Sequence, residues 1–516
     1  MSLRSSRRVL TGTGTGTVGG LLLVVVSTAA IARGDDYFLT IGGGASVSNN
    51  QMSLERNVLY FQRILAERAV APERHTVLFS DGTDSGRDLH QRDPNGIPRV
   101  NELLAQLMGD SQSAAYLYRS HEVPNVNGPA RRSGINGWFS RQSPQFKSGD
   151  RVFVYITGHG GKGKPEENGH FFLWNRETMS VQEFCAELDK LPPDVSIVTL
   201  MVQCYSGSFA NLTFKGGKDA DGATPLNRCG FFATVQTRPA AGCTPDIEEE
   251  NYQEYSTFFL AALCGHTRTG NRVEPPDYNH DGIVSFDEAH AYAILTADTI
   301  DIPVKTSDAF LRKFSRLGKD DDGLLTEKTP FDDLVAKASP ADRAVLEGLS
   351  SQFKMTEPDR IAEAKRLAES REKDRKDLGE KASQKRRQLT GPRTAIQESI
   401  RNRWPELRNP YHPRVPDILR TDAAEIVKAI ESHSQFKAFN AARAEVAKLT
   451  DQQSDAEHQW AKLQRFVRAA DNVILAANLS KVADEPTRQR FSALVASEAG
   501  TLPAGAGTAT PTSSSP

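Results

Sequence analysis

Short apolar runs alternate with amphipathic segments from Asp36 to about Leu317. Continuous runs rich in Val, Ile and Phe are typical of strands that are buried on both faces of a parallel sheet. The segments between them place apolar residues at helical spacing. This alternation predicts an α/β fold with a mostly parallel sheet between two layers of helices. The predicted strands are Tyr37–Ile41, His75–Phe79, Arg151–Thr157, Ser196–Val202 and Gly230–Val235.

Helix ends are marked by capping residues and prolines. Ser53 is predicted to cap a helix with Leu54, Val58, Phe61 and Leu65 on one face. Ser180 with Glu183 forms a capping box before another helix. A further helix is expected at Tyr255–Leu263. Residues 110–149 are polar and rich in Ser, Gly, Asn and Pro, which predicts a long surface loop.

Beyond about residue 317 the pattern becomes entirely helical. Residues 355–390 are dominated by charged residues and Ala, which is compatible with a coiled coil and equally with a solvated single helix. Residues 394–499 keep helical periodicity, so an all-α accessory region that contacts a protein partner is expected. Residues 500–516 consist mostly of small and polar residues and predict a disordered tail.

The first 32 residues have the features of an export signal. Arg7 and Arg8 precede an apolar stretch, and Ala30-Ile31-Ala32 supplies the small residues that a signal peptidase recognises. The arginine pair also resembles a twin-arginine signal. The apolar stretch is shorter than the roughly 20 residues that a spanning helix needs, although a retained anchor is the alternative. We therefore expect an exported protein with no stable membrane insertion after cleavage.

Composition narrows the range of partners and raises a question about thiols. Sixty-three basic and sixty-five acidic residues give a net charge of −2, so no nucleic acid partner is expected.

The chain has five cysteines. Because an odd number cannot all pair in disulfides, at least one free thiol is expected in an exported protein. Two disulfides with Cys204 free would fit this count, but Cys185 on an apolar helix stripe would equally suit a buried thiol.

Two strand ends carry residues suited to nucleophilic chemistry. Arg151–Thr157 leads into Gly158 and His159, and Ser196–Val202 leads into Gln203 and Cys204. Chemistry in such folds collects beyond the carboxyl ends of the strands. A thiol needs a nearby base to act as a nucleophile near neutral pH. The backbone amides of Gly160 and Cys204 are candidate donors to an oxyanion.

This arrangement resembles the caspase-like cysteine peptidases, a group that includes legumain and the metacaspases. A strand ending in His-Gly is followed 45 residues later (204 − 159) by a strand ending in Cys, and Cys204-Tyr-Ser-Gly-Ser208 is similar to the legumain nucleophile segment. The resemblance covers roughly residues 36–315. It implies a caspase-like fold, a Cys204–His159 dyad, and Asn50 as a polar residue that orients the histidine.

The chain departs from legumain two residues before the cysteine, where Val202 replaces an acidic residue. Specificity for Asn or Asp therefore does not carry over. Acidic residues at 246–250 follow the Gly230–Val235 strand. They are either part of a pocket for Lys or Arg or a solvated loop.

A second motif lies at residues 277–288. The segment follows the calcium-loop pattern D-x-N-x-D-G-x-x-S-x-x-E, in which oxygen atoms at fixed positions surround one Ca²⁺ ion. Gly282 allows the sharp turn. A turn that binds nothing is the alternative. The predicted ligands are Asp277, Asn279, Asp281, the carbonyl of Ile283, Ser285 and Glu288.

Together these features predict an exported cysteine endopeptidase that acts on peptides or proteins and is stabilised or gated by Ca²⁺. Two alternatives remain open at the level of sequence. One is a transpeptidase that uses the same dyad, and the other is an inactive calcium-binding scaffold.

Overall fold

The computed structural model describes residues 34–109, 115–319 and 322–504 of the 516. The predicted signal at 1–32 lies outside the described residues. The strands in chain order are β1 Asp36–Gly42, β2 His75–Phe79, β3 Leu89–Arg92, β4 Tyr116–Arg119, β5 Arg151–Thr157, β6 Gly160–Gly161, β7 His170–Leu173, β8 Glu177–Ser180, β9 Ser196–Met201, β10 Arg228–Phe232 and β11 Val304–Lys305. The described residues from Gly34 onward form one compact unit.

Six strands form the central sheet in the order β11-β10-β9-β5-β1-β2. All neighbouring strands are parallel except the short edge strand β11, which is antiparallel to β10. The predicted α/β class and the five predicted strands are therefore confirmed, with ends shifted by at most three residues. Two small antiparallel sheets, β3-β4 and β6-β7-β8, lie in the connections.

Helices cover both faces of this sheet and build the C-terminal region. They are α1 Met52–Glu67, α2 Arg99–Met108, α3 Arg132–Gln142, α4 Val181–Leu188, α5 Tyr255–Cys264, α6 Phe286–Thr296, α7 Thr306–Phe314, α8 Phe331–Lys337, α9 Pro340–Gln352, α10 Arg360–Gln388, α11 Thr390–Arg403, α12 Val415–Thr421, α13 Ala423–Glu431, α14 Phe436–Val482 and α15 Glu485–Glu498.

Alternate residues of the central strands pack into two separate hydrophobic cores, one on each face of the sheet. On β5, Val152, Val154 and Ile156 pack with α3 and α4, whereas Phe153 and Tyr155 pack with α1, α5 and α6. The period of two along a strand explains this division. The capping box of Ser180 and Glu183 begins α4 as predicted.

The prediction of a long surface loop at 110–149 is wrong. The segment contains β4 and the helix α3, in which Ile135, Trp138 and Phe139 are at most 3% exposed. Its glycines and polar residues lower local helix propensity, but the burial of three large side chains against the sheet outweighs this.

The charged segment 355–390 belongs to a helical pair. Helix α10 packs antiparallel to α14. Arg375 lies beside Glu457, whereas Arg386, which comes later in α10, lies beside Thr450, which comes earlier in α14. The buried positions of α10 are mostly alanine, which permits this close packing. The segment is thus a helix packed within the fold, although its apolar positions are few.

The predicted disordered tail begins too early. Leu502 is 1% exposed within the core that contains α1 and α5, and the Phe286 amide donates to the carbonyl of Gly500. Residues 505–516 lie outside the described residues. Within the described part of the chain, none of the helices has the length and apolar character needed to cross a bilayer.

Candidate active site

Adjacent parallel strands place His159 and Cys204 at the same edge of the sheet. Ile156 of β5 is paired with Met201 of β9, and each candidate residue lies three positions beyond its member of this pair. The two strands therefore place His159 and Cys204 at neighbouring backbone positions beyond their carboxyl ends. Both residues are partly exposed, whereas the strands below them are buried.

The backbones of Gly160 and Cys204 lie in direct contact. A Cβ atom at Gly160 would lie only 2.0 Å from the carbonyl oxygen of Cys204, so only glycine fits. Tyr205, the next residue, has φ of +59°, a conformation that non-glycine residues seldom adopt. The sharp turn after β9 thus exposes Cys204 at the beginning of the following helical segment.

The residue that orients His159 differs from the prediction. The Nε2 atom of His159 lies 2.7 Å from the carbonyl oxygen of Asn49 and 3.0 Å from Oε1 of Gln51. The predicted residue, Asn50, lies between these two partners and turns its side chain the other way. Sequence reasoning missed Gln51, because a difference of one residue in a loop reverses the direction of the side chain.

Asn50 organises the loop below the histidine. Its Oδ1 accepts from the Gly44 amide at 2.9 Å, and its Nδ2 donates to Ser80 Oγ at 3.0 Å and to the Asp88 carbonyl at 2.9 Å. Its side chain is fully buried. Asn50 therefore fixes the backbone on which Asn49 and Gln51 contact His159, which is a structural role.

A second thiol, which the sequence did not single out, lies beside the histidine. The Sγ atom of Cys243 is 3.7 Å from Nδ1 of His159. The Sγ atom of Cys204 accepts from the Ala240 amide at 3.3 Å. All five cysteines are free, so the arrangement with two disulfides is not present. Cys185 is buried in the core, as the alternative predicted.

Burial acts on both members of the candidate dyad. Desolvation raises the pKa of the Cys204 thiol, and the hydrogen bond to Ala240 lowers it by a smaller amount. Desolvation also lowers the pKa of His159, against the smaller effect of the Asn49 carbonyl. Near neutral pH the resting site therefore contains a neutral thiol and a neutral imidazole, not a thiolate–imidazolium pair.

The loop beside Cys204 is held by the C-terminal helices. The Ala241 amide donates to Oδ1 of Asp301 at 2.7 Å, and the backbone around Asp301 is bound by Arg465 of α14. The guanidinium of Arg238 in the same loop lies 4.5 Å from the centre of the Trp460 ring and pairs with Glu457, both on α14. The composition of the C-terminal third gave no signal of this contact.

The acidic residues at 246–250 lie close to positive charge. Glu249 lies within 4.0 Å of Arg56, Arg63 and Arg268. Asp246 accepts hydrogen bonds from within its own loop. The charge of Glu249 is therefore compensated by guanidinium groups, whereas Glu248 and Glu250 are exposed.

In the predicted calcium loop, carboxylate side chains accept hydrogen bonds from the backbone amides of the same loop. Asp277 accepts from the amides of Asp281 at 3.1 Å and Gly282 at 2.9 Å, and Gly282 has φ of +83°. Glu288 accepts from the Tyr278 amide at 2.8 Å, which brings its carboxylate to the start of the loop. The loop thus has the turn that its motif requires.

Two other predicted ligands have additional contacts. The Asn279 side chain donates to Asp281 Oδ2 at 2.9 Å. The Ser285 hydroxyl donates to Glu288 at 2.9 Å and caps α6, so its main contact is with the helix. Ile283 is 53% exposed and lies at the rim of the loop. The donor set consists of hard oxygen atoms, which fits Ca²⁺.

Comparison with known proteins adds little. No family model matches the chain, and neither does any curated protein. Among solved structures, the chain is similar to protein GSU0716 from Geobacter sulfurreducens, with 12% sequence identity and a TM-score of 0.24. That match covers 41% of this chain and 77% of the other.

Proposed function

We propose that the protein is an exported cysteine endopeptidase in which Cys204 is the nucleophile and His159 the proton acceptor and donor. The observation that carries this proposal is the position of the two residues beyond adjacent parallel strands, with the backbones of Cys204 and Gly160 in contact. A thiol and an imidazole at neighbouring strand ends can serve as nucleophile and base toward a substrate bound between them. The resemblance of the surrounding motifs to the caspase-like peptidases supports the same reaction.

The reaction proceeds through an acyl-enzyme. The Cys204 sulfur attacks the scissile carbonyl carbon, and the thiol proton passes to His159. The amides of Gly160 and Cys204 donate to the carbonyl oxygen as it becomes negative. His159 then gives its proton to the leaving amine, and the C–N bond breaks. Water, deprotonated by His159, attacks the thioester and restores the free thiol with release of the acid product.

The neutral resting state has a consequence for this mechanism. Because burial opposes charge on both Cys204 and His159, proton transfer has to accompany attack on the substrate. The contacts of His159 with Asn49 and Gln51 hold the ring while it changes protonation state. A carbonyl and an amide oxygen both stabilise the imidazolium that forms during the reaction.

We further propose that residues 277–288 bind Ca²⁺ through oxygen atoms of Asp277, Asn279, Asp281 and Glu288. Asp277, Asp281 and Glu288 would hold the ion, whose charge would offset most of theirs and would fix the start of α6. That helix packs on the sheet with α5 through Phe286 and Ala289. The proposed role of the ion is therefore to stabilise the fold that carries the dyad.

Labelling with peptide acyloxymethyl ketones tests the proposal. Purified mature protein is treated with a panel of these probes, with and without Ca²⁺, and the adduct is located by mass spectrometry. The variant Cys204→Ala should lose all labelling. Cys243→Ala is the matched control, because Cys243 contacts the same histidine, and this variant should keep the adduct at Cys204.

The outcomes separate the alternatives. An adduct on Cys243 that persists in Cys204→Ala would contradict the assignment of the nucleophile. Failure of every probe to label the mature protein would favour the inactive calcium-binding scaffold. If labelling succeeds, incubation with peptide substrate and an added amine shows whether water or the amine resolves the acyl-enzyme, and a ligated product would identify a transpeptidase.

A further inference from the structure

Two loops at the edge of the central sheet bring two carboxylates and an imidazole together. Asp81 and Asp88 flank the loop between β2 and β3, and His121 follows β4. One potential metal-binding atom from each of the three lies within 4.8 Å of the others. These residues lie outside both the dyad and the loop at 277–288.

Both carboxylates have few hydrogen-bond donors, although Arg119 interacts electrostatically with Asp88 and His121 with Asp81. Asp88 is 1% exposed, and its Oδ1 accepts only a neutral donor, the His121 amide, at 2.9 Å. The Oδ1 atom of Asp81 is shielded from solvent and has no hydrogen-bond partner among the described residues. A buried acceptor without a donor is costly, which indicates that a cation completes the group.

His121 is oriented as metal-binding histidines usually are. Its Nε2 lies 2.7 Å from the carbonyl oxygen of Gly82, so one ring nitrogen donates to the backbone. The ring also packs against Phe79, with 5.0 Å between centroids. The Val123 amide contacts Nδ1 at 3.3 Å, a long hydrogen bond that a metal ion would replace. The ring is therefore fixed on two sides before any ligand binds.

We propose that Asp81, Asp88 and His121 form a binding site for a divalent transition-metal ion of the Mn²⁺ or Zn²⁺ type. Two carboxylates supply negative charge, and the imidazole favours these ions over Ca²⁺ and Mg²⁺, which prefer oxygen ligands alone. The ion compensates the two neighbouring carboxylates and supplies Asp81 Oδ1 with a partner.

The site is connected to the candidate active site through one buried side chain. Asn50 Nδ2 donates to the Asp88 carbonyl at 2.9 Å, and the residues on either side of Asn50 contact His159. Fixing Asp88 with a metal ion therefore fixes the loop that orients the histidine. This second step rests on the proposed function, whereas metal binding does not.

Manganese binding to the full mature chain tests the site. Mn²⁺ is titrated in the presence of saturating Ca²⁺, which occupies 277–288, and free Mn²⁺ is measured by electron paramagnetic resonance. We expect one bound Mn²⁺ that Zn²⁺ displaces. Asp88→Asn and His121→Gln should each weaken binding at least tenfold. The Asp88→Asn variant keeps a side-chain oxygen that accepts from the His121 amide, so it is expected to fold normally, which its thermal unfolding would verify.

Asp84→Asn is the matched control, because Asp84 is exposed in the same loop and lies outside the group of three. It should bind Mn²⁺ as wild type does. Equal binding by wild type, Asp88→Asn and His121→Gln, or no binding to wild type, would overturn the site. Mn²⁺ should also speed Cys204 labelling in wild type and leave Asp88→Asn unaffected. If no variant is labelled under any condition, the proposed peptidase function fails while the binding result still stands.

Discussion

Arg465 offers the sharpest test of how the C-terminal helices support the candidate site. This side chain of α14 is 2% exposed and donates five hydrogen bonds to the last turn of α6 and the segment that follows it. The acceptors are the carbonyls of Ile294, Ala297, Thr299 and Asp301 and the Thr299 hydroxyl, at 2.7 to 3.1 Å. Asp301 in turn accepts from the Ala241 amide beside Cys204.

The magnitude follows from these contacts. Arg465→Met leaves five buried acceptors without a donor, at about 1 kcal/mol each. Burying an apolar chain in place of a desolvated guanidinium recovers about 1–2 kcal/mol. The expected loss of unfolding free energy is therefore about 3–4 kcal/mol. Arg465→Lys keeps a charge and three donors and should lose roughly half as much.

The assay combines urea denaturation with alkylation of Cys204 by iodoacetamide in native buffer. Loosening of the 294–301 segment should release the Ala241 amide and expose the thiol, so alkylation should accelerate in Arg465→Met and less in Arg465→Lys. A loss below about 1 kcal/mol in Arg465→Met, with unchanged alkylation, would refute the argument that these hydrogen bonds support the loop beside Cys204.

Other contacts lead to three more expected outcomes. The alkylation rate of Cys204 should keep rising above about pH 9 because burial raises the pKa of its thiol, and a plateau near pH 7 in a pH series would instead indicate a thiolate–imidazolium pair. Calcium at roughly a hundredfold excess over its dissociation constant should stabilise the protein by about 2.7 kcal/mol in thermal unfolding. Glu288→Gln should lose most of this stabilisation, and equal stabilisation of the variant would contradict the assignment of Glu288 as a ligand. Leu502→Ala should lower the unfolding free energy by about 2–4 kcal/mol in urea, since Leu502 fills the core beneath α1 and α5, and no loss would show that the tail is not packed there.

The sheet was predictable because its signal is local. Strands such as Arg151–Thr157 are continuous apolar runs rich in β-branched residues, which is typical of a strand in the middle of a covered sheet. The positions of His159 and Cys204 followed from the same signal, since the register of parallel strands brings their ends together. The capping box at Ser180 was equally local, because it depends on residues three positions apart.

The features that were missed depend on contacts between distant residues. Cys243 lies near His159 only because the loop after β10 folds back over the sheet edge, and its spacing from other residues carries no sign of this. Helix α3 was not predicted because its polar composition resembles that of a loop, whereas its burial depends on three large side chains. The choice of Gln51 over Asn50 depended on the exact path of one loop, which periodicity does not determine.

The pair formed by α10 and α14 also determines where the chain can be cleaved without loss of its folded structure. Helix α14 has 47 residues, about 70 Å of helix, and its hydrophobic contacts extend from Phe439, packed with Leu103 of α2, to Leu475, packed with Leu311 of α7. Cleavage between α10 and α14 should therefore leave two fragments that stay associated and keep the loop beside Cys204 in place. A fragment ending near residue 317 should instead expose apolar surface on α6 and α7 and aggregate, although composition alone suggests that the boundary is a natural one.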